Sequence, residues 1–246
     1  MRVAELAVIV ATVAVTFGAT RLLGRHLGVG RDASLLIATG FSICGAAAVA
    51  AMSGVTKSKD EDVATAVTLV TLYGSIAMFG LPLLRSDVGL DVHEYGLWVG
   101  TSVHEVAQVV AAGAIAGEAA LVTAVVVKLG RVVLLAPLVA AVGVARRDVH
   151  PSDVPRAGTR RPSVVPLFVV GFLVAVAVRS TGVLPDGVIS GATTLTTVLL
   201  AAAMFGLGTG VHLPTLARTG GRALLLGAAS TLVAAGVALA GIVLIR

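Results

Sequence analysis

Residues 94–137 read EYGLWVGTSVHEVAQVVAAGAIAGEAALVTAVVVKLGRVVLLAP, and their reading decides the fold. The stretch is apolar enough for two membrane segments, yet it carries His104, Glu105, Gln108, Lys128 and Arg131. Its first segment is interrupted at Gly100-Thr101-Ser102. Lys128 is about the tenth residue from the start of the second, so at ~1.5 Å per residue it lies roughly 13 Å deep, near mid-bilayer. A Lys or Arg at that depth costs at least ~2.5 kcal/mol and is ordinarily functional when present. Lys128 and Arg131 are three residues apart and share one helical face.

Working outward, 57% of the 246 residues are hydrophobic and 13% are charged, with a mean hydropathy of +1.01. Soluble domains carry about 25% charge, so the composition predicts an all-α polytopic helical membrane protein. The net charge of +5 sits mostly in loops between apolar runs, the usual orientation device of such proteins, and it gives no reason to expect nucleic acid. Cys44 is the single cysteine, which excludes an intrachain disulfide and a cysteine metal cluster. The first twenty residues are too long in their apolar run for a cleaved signal peptide and read as a retained helix.

Eight spans are predicted, at residues 3–23, 33–52, 63–84, 94–117, 119–145, 163–178, 186–204 and 222–245. The second is weakened at Gly40-Phe41-Ser42-Ile43-Cys44-Gly45, and the fourth at Gly100-Thr101-Ser102. If both interrupted segments cross the membrane, the termini lie outside. Eleven Lys and Arg then fall in cytoplasmic loops against five outside. Gly40-Phe41-Ser42-Ile43 aligns with Gly100-Thr101-Ser102-Val103 at an offset of 60 residues, which suggests an internal repeat of 40–84 and 100–145 within a single transmembrane domain, 1–246. Interrupted spans at corresponding places are the best sequence pointer to a transporter's binding site. The two breaks are therefore expected to lie near each other at the midplane.

His104 and Gln108 are expected one turn apart on one face, with Glu105 beside them. These groups could simply satisfy neighbouring helices. His104-Glu105-Val106-Ala107-Gln108 also comes within one residue of the zinc motif H-E-x-x-H, but an amide stands where the second imidazole is needed. Lys128 and Arg131 could pair with Glu105 or Glu118, or attract an anion. Arg131, a turn nearer the cytoplasmic side, could snorkel. His212 reads as a surface loop residue. No Gly-x-x-x-x-Gly-Lys run occurs, so the chain carries no ATP-binding loop of its own.

Several blocks resemble the signatures of the YeiH-type sulfate-exporter family of bacterial inner-membrane proteins. They are Gly40 through Ala47, Lys57 through Glu61, Gly96-Leu97-Trp98, Gly100 through Gly113, and Lys128-Leu129 with Arg131. The family is similar in architecture to the cation/proton antiporter and bile-acid transporter superfamily. This chain has Phe41 where the family typically has Thr, and Ala47 where it has Ser. The family is longer at the N-terminus, so the chain is expected to be a fragment or a shortened gene product. The resemblance implies secondary export of a small anion such as sulfate or an organic sulfonate, without a cofactor and without enzymatic activity. The candidate substrate-binding residues are Ser42, Cys44, Gly45, Thr101, Ser102, His104, Gln108, Lys128 and Arg131, with His104 and Glu105 as proton carriers. The rival readings are an intramembrane metal-dependent hydrolase at His104 and Glu105, and a membrane subunit that transports nothing. Homo-oligomer formation is left open.

Overall fold

The computed structural model describes residues 2–147, 167–209 and 220–246. They are all-α: α1 Val3–His26, α2 Arg31–Ser42, α3 Ala46–Thr56, α4 Asp60–Val88, α5 Val92–Ser102, α6 Val106–Ile115, α7 Glu118–Val133, α8 Leu135–Arg147, α9 Leu167–Ser180, α10 Asp186–Thr209 and α11 Gly220–Leu244. Four are long and apolar enough to cross a bilayer: α1, α4, the α7–α8 run Glu118–Ala145, and α11. The protein is a multi-pass membrane protein, as its composition predicts. His212 and most of the basic loop 146–162 lie outside the described residues.

Local sequence explains where the elements start and stop. Asp60, Glu61 and Asp62 occupy the first turn of α4, where carboxylates complement the helix dipole. Asp91 opens α5 with a reciprocal cap: its carboxylate accepts from Glu94 N at 2.8 Å, and the Glu94 carboxylate accepts from Asp91 N at 2.9 Å. The span expected at 119–145 is interrupted at Leu134. Pro137 lacks the N–H that Val133's carbonyl would need and its ring crowds that carbonyl, and just before it the helix tightens, with Leu134 N donating to Arg131 O at 3.0 Å.

The decisive feature is direction. One end of the bundle joins the start of α1, the start of α5 and the chain's last residue. His93 Nε2 lies 3.0 Å from Glu5 Oε1, and Arg246 donates to Glu94 at 2.6 and 2.7 Å. The other end joins the close of α1 to the start of α11, where Gly28 lies against Arg222. α1 and α11 are antiparallel between them, with Val8 on Gly241 and Thr20 on Ser230.

The interrupted segment α2–α3 starts at this second, basic end and returns to it. Gly40 of α2 presses on Val49 of α3, and Val55 reaches Gly143 of α8. Asp62 at the start of α4 feels the charge of Asp32 at the start of α2. The segment α5–α6 does the reverse. It enters from the Glu94 end and comes back, with Tyr95 Oη donating to Ala112 O at 3.0 Å and Gly113 against Leu121 of α7. The expectation that both interrupted segments cross is therefore overturned: each is a helical hairpin, and the two enter from opposite ends. Their arms are 12, 11, 11 and 10 residues long. At ~1.5 Å per residue that is about half of a ~30 Å hydrocarbon core, so the tips meet near the middle.

The correction moves Lys57 and Lys59 to the basic end with Arg21, Arg25, Arg31 and Arg222, and Arg85 to the other, so the charge asymmetry survives the change of path. Separate apolar clusters fill the two ends. One surrounds Tyr95, Trp98 and Ala238, the other Leu36, Phe41, Leu69 and Leu226. A smaller one (Val13, Ile43, Cys44, Ala48, Val132 and Leu135) packs around the first tip. α9 and α10 lie outside, their described side chains almost all exposed, with α10 alongside α6.

Candidate functional site

A helix end leaves carbonyls or N–H groups without partners, and in hydrocarbon water cannot supply them. Two hairpin tips at the midplane therefore concentrate four such ends in one place. The first tip is Ile43-Cys44-Gly45; the second is Val103-His104-Glu105. The second begins after Ser102 rather than at Gly100. Gly40 and Gly100 stay helical, because their missing side chains make room for Val49 and Val70 in one case and Val127 in the other. The tips begin at Ile43 and Val103, the same 60-residue spacing as the sequence match.

Lys128 and Arg131, both 0% exposed, take up the carbonyls of both C-terminal ends. Lys128 Nζ donates to Ile43 O at 2.7 Å and Val103 O at 2.8 Å. Arg131 spends all five N–H groups at 2.8 to 3.2 Å: on Phe41 O and Ser42 O from the first hairpin, and on Gly100 O and Val103 O from the second. Arg131 does not snorkel. Its planar fork matches four converging carbonyls, which an exposed guanidinium would forfeit.

The N-terminal ends are served differently. Glu105 sends its carboxylate from the second tip across to the first, where Oε1 accepts from Ala46 N, the first amide of α3. Gly45 makes this approach possible. Its φ of +75° suits glycine, and a Cβ there would overlap the Glu105 carboxylate. Gln108 closes the start of α6: its Oε1 accepts from Glu105 N at 3.1 Å, and its Nε2 donates to Thr71 O at 3.2 Å and Ser75 Oγ at 3.3 Å. The amide fits only because residue 74 of α4 is glycine.

His104 and Gln108 do not share a helical face. Val103 and Glu105 are extended, so His104 belongs to the tip, before α6 begins. Its Nε2 pairs with Thr231 Oγ1 at 3.0 Å and its ring packs on Phe41 at 4.4 Å between centroids. Among the described residues no three His, Cys, Asp or Glu side chains gather as a metal-binding group.

Of the residues singled out in the sequence, Ser42, Cys44, Gly45, Ser102, His104, Glu105, Lys128 and Arg131 converge at the tips. Ser42 does so through its carbonyl, since its hydroxyl donates to Thr39 O. Thr101 is absorbed by its own helix, donating to Leu97 O and Trp98 O, and Gln108 reaches toward α4. Ser102 Oγ is buried without a partner. Cys44 is buried within the fields of Lys128, Arg131 and Glu105. Sequence reading missed Thr71, Gly74, Ser75 and Thr231. The signal for them was available: hydroxyls and a glycine spaced three and four apart in helices otherwise apolar.

Charge bookkeeping favours an anion. Lys128 and Arg131 outweigh Glu105, while the two C-terminal and two N-terminal helix ends, at about half a charge each, cancel. The tips thus hold a surplus of about one positive charge.

A protein-family profile described as "Conserved hypothetical protein 698" matches residues 2–227. A UPF0324 membrane protein of Corynebacterium glutamicum is 48% identical over 240 residues, covering 97% of this chain and 68% of the relative. A UPF0324 membrane protein of Pseudomonas aeruginosa is 42% identical over 222 residues, covering 87% and 62%. The UPF0324 inner membrane protein YeiH of Salmonella typhi is 36% identical over 221 residues, covering 88% and 62%. The chain thus spans about two thirds of the length of these curated relatives. No solved structure matches it.

Proposed function

The chain belongs to the Conserved hypothetical protein 698 family, that of the UPF0324 membrane proteins, and from that premise we propose that it is a secondary transporter of a small anion such as sulfate or an organic sulfonate. The observation that carries the reading is the meeting of two oppositely entering hairpins around two fully buried cations, with positive charge left over. Discontinuous helices at the midplane, arranged as an inverted pair, are a recurring way to offer a substrate half-helix ends in place of water. In this reading Lys128 and Arg131 neutralise the carbonyl ends, so that the amide ends and the surplus charge act on the substrate. Without the cations the carbonyl ends would repel it.

The test is flux. Chain reconstituted in liposomes loaded with labelled sulfate or methanesulfonate should release the label saturably, with competition between the two anions. Lys128→Met, confirmed folded by gel filtration, should release it no faster than protein-free liposomes. Wild-type flux at the protein-free rate for both anions would leave a membrane subunit that transports neither.

A further inference from the structure

Glu105 occupies an unusual place. It belongs to the second hairpin, yet its carboxylate is bound to the first amide of the other hairpin's returning arm. It is only 8% exposed, while Ala46, which it holds, is half-buried and Ala47 is exposed. Glu105 therefore reaches the start of α3, next to the exposed Ala47, and feels the charge of the fully buried Lys128 ammonium. Lys128 has three N–H groups and two carbonyl acceptors, which leaves one to offer. Ser102, at the start of the same tip, is 1% exposed and its hydroxyl has no partner. A helix-start amide donor, a spare ammonium N–H and an unpartnered hydroxyl are what an oxyanion requires. The amide is already taken by an oxyanion of the protein's own.

Resting on the anion-transport reading, we propose that Glu105 is a built-in occupant of the anion site: a substrate oxyanion binds by displacing its carboxylate from Ala46 N–H, and the displaced carboxylate takes up one proton. Only the O–H bond on Glu105 forms. The anion inherits the amide and the third N–H of Lys128, and one proton accompanies each anion bound. The exchange leaves the buried charge unchanged for a monoanion such as methanesulfonate and adds one negative charge rather than two for sulfate, less than free entry beside an ionised carboxylate would add. Of the other groups facing Glu105, Lys128 and Arg131 from α7 stay on their carbonyls while Lys128 offers its third N–H, Cys44 packs in the first tip, Gln108 holds α4, and His104 holds Thr231 through Nε2 while its buried Nδ1 has no partner.

Calorimetry on the detergent-purified chain tests this, with sulfate and methanesulfonate as probes at pH 6 to 8 in buffers of different ionisation heat. Wild type should take up about one proton per anion and, above neutrality, lose about tenfold in affinity per pH unit, as one-proton linkage requires. Glu105→Gln keeps the size but not the charge. It should bind at least tenfold more tightly at pH 8, without proton uptake. Weaker or absent binding in Glu105→Gln would make Glu105 part of the site rather than its occupant. Uptake retained in the variant would assign the proton to His104; either result overturns the proposal. The wild-type proton count stands even if the variant fails to fold, and a count of zero is equally fatal. If neither protein binds either anion at any pH, the anion reading itself fails. Binding by both with the same pH dependence overturns the displacement alone.

Discussion

The two tips occupy equivalent places and are built differently. The first, Ile43-Cys44-Gly45, contributes main chain: carbonyls to the cations, an amide to Glu105, and a glycine that lets the carboxylate close. The second also gives the cations a carbonyl, that of Val103, but adds side chains, His104 and Glu105, on extended backbone whose amide at Glu105 is capped by Gln108 of the same hairpin. One tip is a receptor surface and the other reaches across to it. The difference teaches that two similar stretches of sequence can share a fold and divide its chemistry, with substitutions at the receiving tip acting through geometry and those at the reaching tip through charge.

The contrast can be broken most forcefully from outside both tips. Arg131→Ala takes a donor from four buried carbonyls, of which Val103 O alone keeps Lys128, and each uncompensated loss costs about 1–3 kcal/mol. It should destabilise the chain by roughly 4 kcal/mol or more, read as collapse of the gel-filtration peak. Arg131→Lys, with three donors instead of five, should recover little. Gly45→Ala comes next. A non-glycine residue at this positive φ and strongly negative ψ costs about 1–3 kcal/mol and the overlap with Glu105 adds to it, whereas Gly54→Ala, in open space, should be neutral or better. Combining Gly45→Ala with Glu105→Ala should restore part of the loss; additive thermal shifts would mean that the tips do not touch as described. Gly74→Ala should displace the Gln108 amide and cost about 2 kcal/mol, leaving the first tip intact. Thr231→Val removes the partner of His104 and should cost about 1 kcal/mol, affecting the second tip alone. Smallest is Glu94→Gln at the bundle end. Its Arg246 partner is 47% exposed, and such pairs contribute at most about 1 kcal/mol, less in high salt.

Much of this was legible in the sequence. Composition predicts the membrane and the helices. The glycine and serine pattern locates both breaks to within three residues, and the depth of Lys128 marks the site. Direction was not legible. Hydropathy reports that a segment is buried in the bilayer, not whether it leaves on the side it entered, and residues 31–56 are long enough to cross or to turn back. Contacts between distant positions decide between the two, such as Gly40 with Val49 and Tyr95 with Ala112, and neither periodicity nor capping encodes them. The role of Arg131 was misread for the same reason. From its own helix it can reach water, and only the arrival of two hairpin ends gives it something better.

The carbonyls that Arg131 holds also set an order of assembly. Ser42 is made 89 residues before Arg131, which at ordinary synthesis rates of about 5–20 residues per second is on the order of 5 to 20 s. Throughout that interval the first hairpin exists but its tip has no donors, and hydrocarbon would leave its carbonyls bare. The first tip is therefore expected to settle into the hydrocarbon only once α7 has arrived, and the centre is finished later still, when α11 brings Thr231 to His104.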